Sequence, residues 1–167
     1  LSTPLLVTTA DHAFLRGEIV DDFCRRAAAA ADVDLWVGVV RHQSVQVLFP
    51  GLKKTAHKLR GEAWCGCNLF YFASKDSRRA AELWRRAEKD RKRPWRIART
   101  IGWRFLLSFL LGRHSLEQTL DHIGKKLGIR IRALELPFPE ASVDVDSVED
   151  WKIVEQLIKN CASASTP

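Results

Sequence analysis

The chain has 167 residues, of which 46% are hydrophobic and 28% charged, and this composition is ordinary for a soluble globular protein. Its longest apolar run, residues 105–111, is too short to span a bilayer, and the first residues lack the basic and apolar regions of a signal peptide, so we expect a cytoplasmic protein. The net charge of +7 favours an anionic partner, but charge alone does not choose among a nucleotide, a nucleic acid and a membrane.

Three short apolar runs rich in β-branched or aromatic residues predict strands. They cover residues 4–10, 35–40 and 67–73. Between the first two, residues 17–31 carry apolar side chains at helical spacing and predict a helix. We expect residues 43–61 to be mostly loop, and residues 65–68 to form a tight turn that opens the third strand.

The second half of the chain is predicted to be mainly helical, since apolar residues recur there at intervals of three and four. The predicted helices cover residues 77–92, 94–111, 115–127 and 147–158. Ser115 and Gly128 are placed to begin and end the third of these helices, and Asp146 to cap the fourth. Residues 129–136 alternate apolar and polar side chains, which predicts a half-exposed strand, and residues 143–145 predict a short one.

The alternation of strands and helices indicates an α/β sheet with helices on its faces. We expect one domain over residues 1–160, followed by a tail over residues 161–167. Ligands of such sheets bind beyond the carboxyl ends of the strands, and Asp11 and Asp144 both fall at such ends. These two carboxylates are therefore the first candidates for a binding site.

Asp11 follows the first predicted strand, where a carboxylate can hold a hard cation such as Mg²⁺. Its alternative role is to cap the helix that follows. Asp144 and Asp146 lie on the same side of the short strand at residues 143–145, because side chains alternate along a strand. Asp146 has a structural role as a helix cap, whereas Asp144 has none, which leaves Asp144 for a ligand or for solvent.

The cysteine-glycine-cysteine-asparagine segment at residues 65–68 is a second candidate for ligand contact. Two cysteines one residue apart, without a second pair, are weak evidence for zinc. Gly66 allows a ligand to approach the backbone closely, and Asn68 can both donate and accept hydrogen bonds. A polar substrate is therefore the expected partner of this segment.

Residues 85–111 combine many basic side chains with tryptophans and an apolar helix face. The basic residues are Arg85, Arg86, Lys89, Arg91, Lys92, Arg93, Arg96, Arg99 and Arg104. Trp95 and Trp103 lie among them, and Phe105 and Phe109 continue the apolar face. Such runs are commonly solvated helix faces, but this combination also suits peripheral contact with an anionic membrane or with a phosphate group.

Three segments together resemble the second half of the MobA-like NTP transferase family, whose GT-A-like fold is a Rossmann-like α/β sandwich. They are the strand and turn at residues 5–12, the turn and strand at residues 65–70, and the acidic segment at residues 144–150. The acidic segment resembles the family's D-V-D-T-P-E-D pattern, with Ser147 and Val148 in place of Thr and Pro. The resemblance implies a three-layer sandwich with a mixed sheet, of which this chain is the C-terminal part.

The resemblance implies a magnesium-dependent nucleotidyltransferase, which moves a nucleoside monophosphate from an NTP to a phosphate-bearing or related acceptor and releases pyrophosphate. It implies that Asp11 and Asp144, with Asp146, hold Mg²⁺ against the NTP phosphates. The acceptor would be a small molecule or a lipid-linked one. The substrate-binding candidates are Gly66, Cys67 and Asn68 in the acceptor pocket, and the basic residues Lys53, Lys54 and Arg41.

The chain lacks the nucleotide-binding signature of that family, a glycine-rich loop that lies upstream of the position that Asp11 matches. Such a loop supplies backbone N–H groups to phosphate. The sequence has no methionine and begins on an apolar stretch, so we expect a piece of a longer protein. The alternative function is a non-catalytic binding module that uses residues 85–111 on anionic lipid or a protein partner, and no groove-reading motif supports nucleic-acid binding.

Overall fold

A mixed β-sheet of five strands runs through the part of the chain that the computed structural model describes, residues 3–89 and 102–164. The strands are β1 (Leu5–Thr8), β2 (Leu35–Arg41), β3 (His57–Leu59), β4 (Glu62–Phe72) and β5 (Ile131–Glu135). The order across the sheet is β1-β4-β2-β5, and β3 pairs with the first residues of β4. β4 runs antiparallel to β1, β2 and β3, whereas β2 and β5 are parallel.

Helices cover both faces of this sheet. They are α1 (Gly17–Ala28), α2 (His42–Leu48), α3 (Arg78–Lys89), α4 (Trp103–Leu110), α5 (Leu116–Leu127) and α6 (Val148–Ala164), with a 3₁₀ turn at Pro139–Ser142. On β4, Leu69 packs in the same cluster as Phe23 of α1, whereas the next residue, Phe70, packs in the cluster that contains Leu120 of α5. Because neighbouring side chains of a strand point to opposite faces, the helices form two outer layers, which confirms the predicted α/β sandwich with a mixed sheet.

The ends of two helices show why they begin and stop where they do. Ser115 forms a reciprocal capping box at the start of α5, and Gly128, with a left-handed φ of 66°, ends that helix, as predicted. At the start of α6, the Ser147 hydroxyl accepts a hydrogen bond from the Asp150 amide at 3.1 Å, and the Asp150 carboxylate accepts one from the Ser147 amide at 3.0 Å. The prediction that Asp146 caps this helix is therefore wrong.

The structure differs from two expectations for the first half of the chain. Residues 49–56 and 60–61 are loop, as expected, but α2 and β3 occupy the rest of residues 43–61. Helix α2 buries only Val45, so its sequence has no periodic apolar pattern that would predict it. Residues 65–68 do not open a strand, because β4 already begins at Glu62 and runs through them.

In the second half, the short strand predicted at residues 143–145 is reduced to a single isolated bridge. The last helix, α6, continues to Ala164, through residues that the sequence led us to expect in a tail. The two predicted helices at residues 77–92 and 94–111 correspond to α3 and α4, and their parts at residues 90–101 lie outside the described residues. Among the helices of the described ranges, each is too short or too polar to cross a membrane.

Candidate functional site

A polar cavity of about 210 Å³ lies beside β4, between the loop that precedes β3 and the segment that precedes α6. Six of the residues predicted from the sequence to form a site line this cavity. They are Lys53, Lys54, Gly66, Asn68, Asp144 and Asp146. Because they come from three distant parts of the chain, it is the fold of the sheet that brings them together.

Asp144 is held by two partners inside this cavity. Its Oδ1 forms an ion pair with the Lys54 ammonium, and its Oδ2 accepts a hydrogen bond from Asn68 Nδ2 at 3.4 Å. The side chains of Lys54 and Asp144 are only 12% and 17% exposed, so water screens their attraction less than it would at the surface. Lys54 thus places a positive charge on the carboxylate that the sequence assigns to Mg²⁺.

Asn68 reaches Asp144 because β4 bulges at this point. Where β2 contributes Gly38 alone, β4 contributes residues 67–69, which interrupts the regular alternation of side chains. Asn68 adopts a left-handed φ of 48°, a conformation that asparagine tolerates better than most residues. A Cβ on Gly38 would lie 3.1 Å from the Cβ of Leu69, so the bulge packs directly over this glycine.

Asp11 lies in the turn after β1 and is linked through the backbone to the segment that carries Asp144. The carbonyl of Asp11 accepts a hydrogen bond from the Val145 amide at 3.0 Å, and the next residue, His12, pairs with Asp144 in the isolated antiparallel bridge. The Thr9 hydroxyl donates a hydrogen bond to the Asp11 carboxylate, which lowers the pKa of Asp11 although burial opposes this shift. Asp11 is therefore an anion at neutral pH, next to the cavity.

His12 is the feature of this region that the sequence reasoning missed as a site residue. Both nitrogens of its imidazole are buried without a hydrogen-bond partner in the described structure. Burial lowers the pKa of His12, the charges of Asp11 and Asp144 oppose this shift, and that of Lys54 adds to it. The imidazole is thus held neutral among three charged groups. Its position directly after Asp11, inside the segment that carries the family resemblance, is the signal that could have identified it.

The structure does not bring two other predicted residues into the cavity. Cys67 is fully buried in the core, and burial raises the pKa of its thiol. Arg41 lies outside the cavity, where its guanidinium forms ion pairs with Glu62 at 2.9 Å and Glu135 at 2.8 Å. The same guanidinium lies over the ring of Trp64, 4.8 Å from its centre. A site built around Asp144 therefore does not include Arg41 or the Cys67 side chain.

The donor atoms near the cavity are of the kind that magnesium prefers. Asp144, Asp146 and Asn68 line it, and Asp11 is hydrogen-bonded through its backbone to Val145, the residue after Asp144. Within residues 3–89 and 102–164, no three His, Cys, Asp or Glu side chains are placed to hold a metal ion by themselves. Mg²⁺ commonly takes only one or two carboxylates and completes its coordination with water and substrate phosphates, so this donor set fits magnesium bound together with a phosphate ligand.

Comparison with known proteins gives one informative likeness. No protein-family model matches the chain, and no curated protein matches it. A solved structure of a hypothetical transferase from Thermus thermophilus is similar, with 38% sequence identity and a TM-score of 0.74. The likeness covers 87% of this chain and 62% of that protein, so the chain spans about three-fifths of the length of the protein it resembles. The α/β fold is therefore shared with a protein described as a transferase.

Proposed function

We propose that the chain is part of a transferase and that the cavity around Asp144 is its catalytic centre. The observation that carries this proposal is the group formed by Lys54, Asn68 and Asp144, which lines a polar cavity in a fold shared with a hypothetical transferase at 38% identity. Half-buried ion pairs between a lysine and an aspartate also occur for structural reasons. Here the pair lines a cavity. Its ammonium can bind a phosphate group, and its carboxylate can bind the cation that accompanies the phosphate.

The finer proposal is magnesium-dependent nucleotidyl transfer. An oxygen of the acceptor would attack the α-phosphorus of an NTP, and the bond from that phosphorus to the bridging oxygen would break, so that pyrophosphate leaves with the electron pair. When bound, Mg²⁺ would neutralise charge on the phosphate oxygens. Asp144 would hold the ion, with Asp11 or Asp146 as the second carboxylate, in agreement with the acidic donors at the cavity.

The remaining residues of the cavity would bind and orient the substrates. The ammonium of Lys54 neutralises Asp144 in the structure, and in the substrate complex it would bind a phosphate oxygen, which would free the Asp144 carboxylate to hold the metal. Lys53, which is exposed at the same cavity, adds a second positive charge for an anionic acceptor. The amide of Asn68, fixed by the bulge of β4, would orient the acceptor by hydrogen bonds.

Thermal unfolding with nucleotides tests the proposal and requires no acceptor. The native protein that contains this chain is titrated with each NTP in the presence and absence of Mg²⁺. A ligand that binds only the folded state raises the midpoint of unfolding, by mass action. We expect one NTP to stabilise the protein only when Mg²⁺ is present, and we expect Asp144→Asn to abolish this stabilisation.

A matched variant shows whether the effect belongs to the cavity. Asp32→Asn removes a carboxylate that is 70% exposed and pairs with Arg130 at the surface, so it should respond to nucleotide and Mg²⁺ as the unchanged protein does. Stabilisation that is equal in Asp144→Asn and in the unchanged protein would show that the metal and nucleotide bind elsewhere, and the proposal would be wrong.

A further inference from the structure

Helix α4 presents an apolar face to solvent on the side of the molecule that carries α5. Its outward side chains recur at helical spacing and are exposed by one half or more. They are Trp103 (67%), Leu107 (54%), Leu110 (71%) and, just after the helix, Leu111 (58%). A contiguous set of large apolar side chains is uncommon on a surface unless it binds something.

The inward side of α4 already anchors the helix to the rest of the protein. The ring of Phe105 stacks on His122 of α5, with the ring centres 3.8 Å apart, and Phe109 packs against the core cluster that contains Trp64. The amide of Arg60, in the β3–β4 turn, donates a hydrogen bond to the Gly112 carbonyl at 2.9 Å. Within residues 3–89 and 102–164, the outward face is therefore exposed to solvent and open to a partner.

A mostly apolar groove, bordered by two arginines, lies at this face and shares Leu107 and Leu111 with it. Its volume is about 480 Å³, and Arg104 and Arg113, both exposed, line it together with Ser108 and His114. The Ser108 hydroxyl lies 2.5 Å from Nε2 of His114, so both polar groups are held at the groove by each other. The groove thus offers the two guanidinium groups of Arg104 and Arg113 to an anionic headgroup.

The segment of sequence that contains α4 carries positive charges and no negative ones. No acidic residue occurs between Asp90 and Glu117, whereas basic residues recur through the same stretch. Within the described part of it, neither Arg104 nor Arg113 forms a salt bridge with a described carboxylate. The apolar face and the two arginines of the groove together therefore match a ligand that is both apolar and anionic.

We propose that the α4 face binds the surface of a bilayer that contains anionic phospholipid. The exposed leucines and Trp103 would enter the interfacial layer, and Arg104 and Arg113 would pair with phosphate groups of the lipids. A second copy of the chain fits this face less well, because the same face of that copy carries the same positive charges, whereas anionic lipid supplies the opposite charge. This surface is separate from the Asp144 cavity, so the proposal stands independently of the proposed function.

Vesicle flotation of the native protein that contains this chain tests this proposal. Binding is compared between vesicles of phosphatidylcholine alone and vesicles of phosphatidylcholine with phosphatidylserine, at low and high salt. We expect binding only to the vesicles that contain phosphatidylserine, weakened by salt. Arg104→Glu with Arg113→Glu should lower the partition coefficient at least about tenfold, and Leu107→Ser with Leu110→Ser should also weaken it strongly.

A matched variant and a competing anion distinguish lipid binding from binding of free phosphate and from self-association through this face. Lys125→Glu with Lys126→Glu makes the same change of charge at exposed positions of α5 and should bind vesicles as the unchanged chain does. Equal binding to neutral vesicles, or none to either, would overturn the proposal. The proposal would also be wrong if inorganic phosphate, at matched ionic strength, displaced the protein from vesicles while the variant with both leucines replaced bound them normally. It would be wrong as well if the only effect of that variant were to dissociate an oligomer.

Discussion

His12 and Asp144 pair in a single antiparallel bridge, which joins the turn after the first strand to the segment that leads into the last helix. This pairing brings together two segments from opposite ends of the chain, one with Asp11 and the other with Asp144. Asp11 and Asp144 thereby lie on neighbouring backbones, and the charges of Asp144 and Lys54 both act on the buried imidazole between them. The bridge is the structural reason for treating this region as one site.

The ion pair between Lys54 and Asp144 gives a prediction about stability. Lys54→Gln leaves a mostly buried carboxylate with only Asn68 as a partner, so we expect the free energy of unfolding to fall by about 2 kcal/mol. Urea denaturation measures this change. Lys53→Gln, at the neighbouring exposed position, is the control and should change stability by less than about 0.5 kcal/mol.

Magnesium should raise the stability of the same variant, Lys54→Gln, whereas loss of the ammonium lowers it. If Lys54 and the metal compete for Asp144, removal of the ammonium frees the carboxylate, so Mg²⁺ should raise the urea midpoint of Lys54→Gln more than that of the unchanged protein. Urea denaturation at increasing Mg²⁺ concentration measures both midpoints. A variant that Mg²⁺ stabilises less than the unchanged protein would show that Lys54 keeps Asp144 in position for the metal and does not compete with it.

The bulge of β4 gives a prediction about packing. Even a single Cβ on Gly38 would lie 3.1 Å from the buried Leu69, so Gly38→Val should force the bulge away from β2 and lower the free energy of unfolding by about 2 kcal/mol. Gly66→Val, on the neighbouring strand, is the control for stability, because a Cβ there meets no atom within 4 Å. Equal losses of unfolding free energy in Gly38→Val and Gly66→Val would show that valine at a strand position causes the loss by itself, and that contact with the bulge does not.

The structure predicts part of the response to acid. Burial by itself would raise the pKa of Asp34, but hydrogen bonds from the Arg130 amide at 2.8 Å and the Ser74 hydroxyl at 2.6 Å outweigh it and lower that pKa. The unfolded chain therefore takes up this proton at higher pH than the folded protein does, and the stabilisation is lost as pH falls below the ordinary value of 3.8.

Asp34→Asn keeps the shape and the acceptor atom at this position but removes the titration. Its free energy of unfolding should fall less steeply with decreasing pH in the acid range than that of the unchanged protein, while the two slopes agree near neutral pH. Denaturant unfolding at a series of pH values measures both slopes. Parallel curves throughout the acid range would show that Asp34 does not contribute to acid sensitivity.

The sequence predicts those parts of the fold that depend on local chemistry. The start of α5 at Ser115 and its end at Gly128 follow from hydrogen bonds and backbone angles of neighbouring residues, and both are found where expected. Helix α2 was missed because a helix of two turns that buries only Val45 has no periodic pattern and is stabilised by its tertiary contacts.

The site could be predicted only in part, for a related reason. Carboxylates at strand ends are visible in a sequence, and the structure places Asp144 at a cavity with Lys54 and Asn68. The bulge that turns Asn68 toward this cavity depends on the pairing between β4 and β2, which no local spacing reveals. Arg41 was proposed from its charge alone, and charge does not show that its partners are Glu62 and Glu135.

The most direct test of the central claim is the rate of magnesium-dependent pyrophosphate release from an NTP in the presence of small phosphate-bearing acceptors, measured in the native protein with and without Asp144→Ala. If the Asp144 cavity is the catalytic centre, this change should lower kcat/KM by about 10²-fold or more, whereas Asp32→Ala should leave it unchanged. Magnesium-dependent release that continues at the unchanged rate in Asp144→Ala would contradict the account and would place the chemistry outside this cavity.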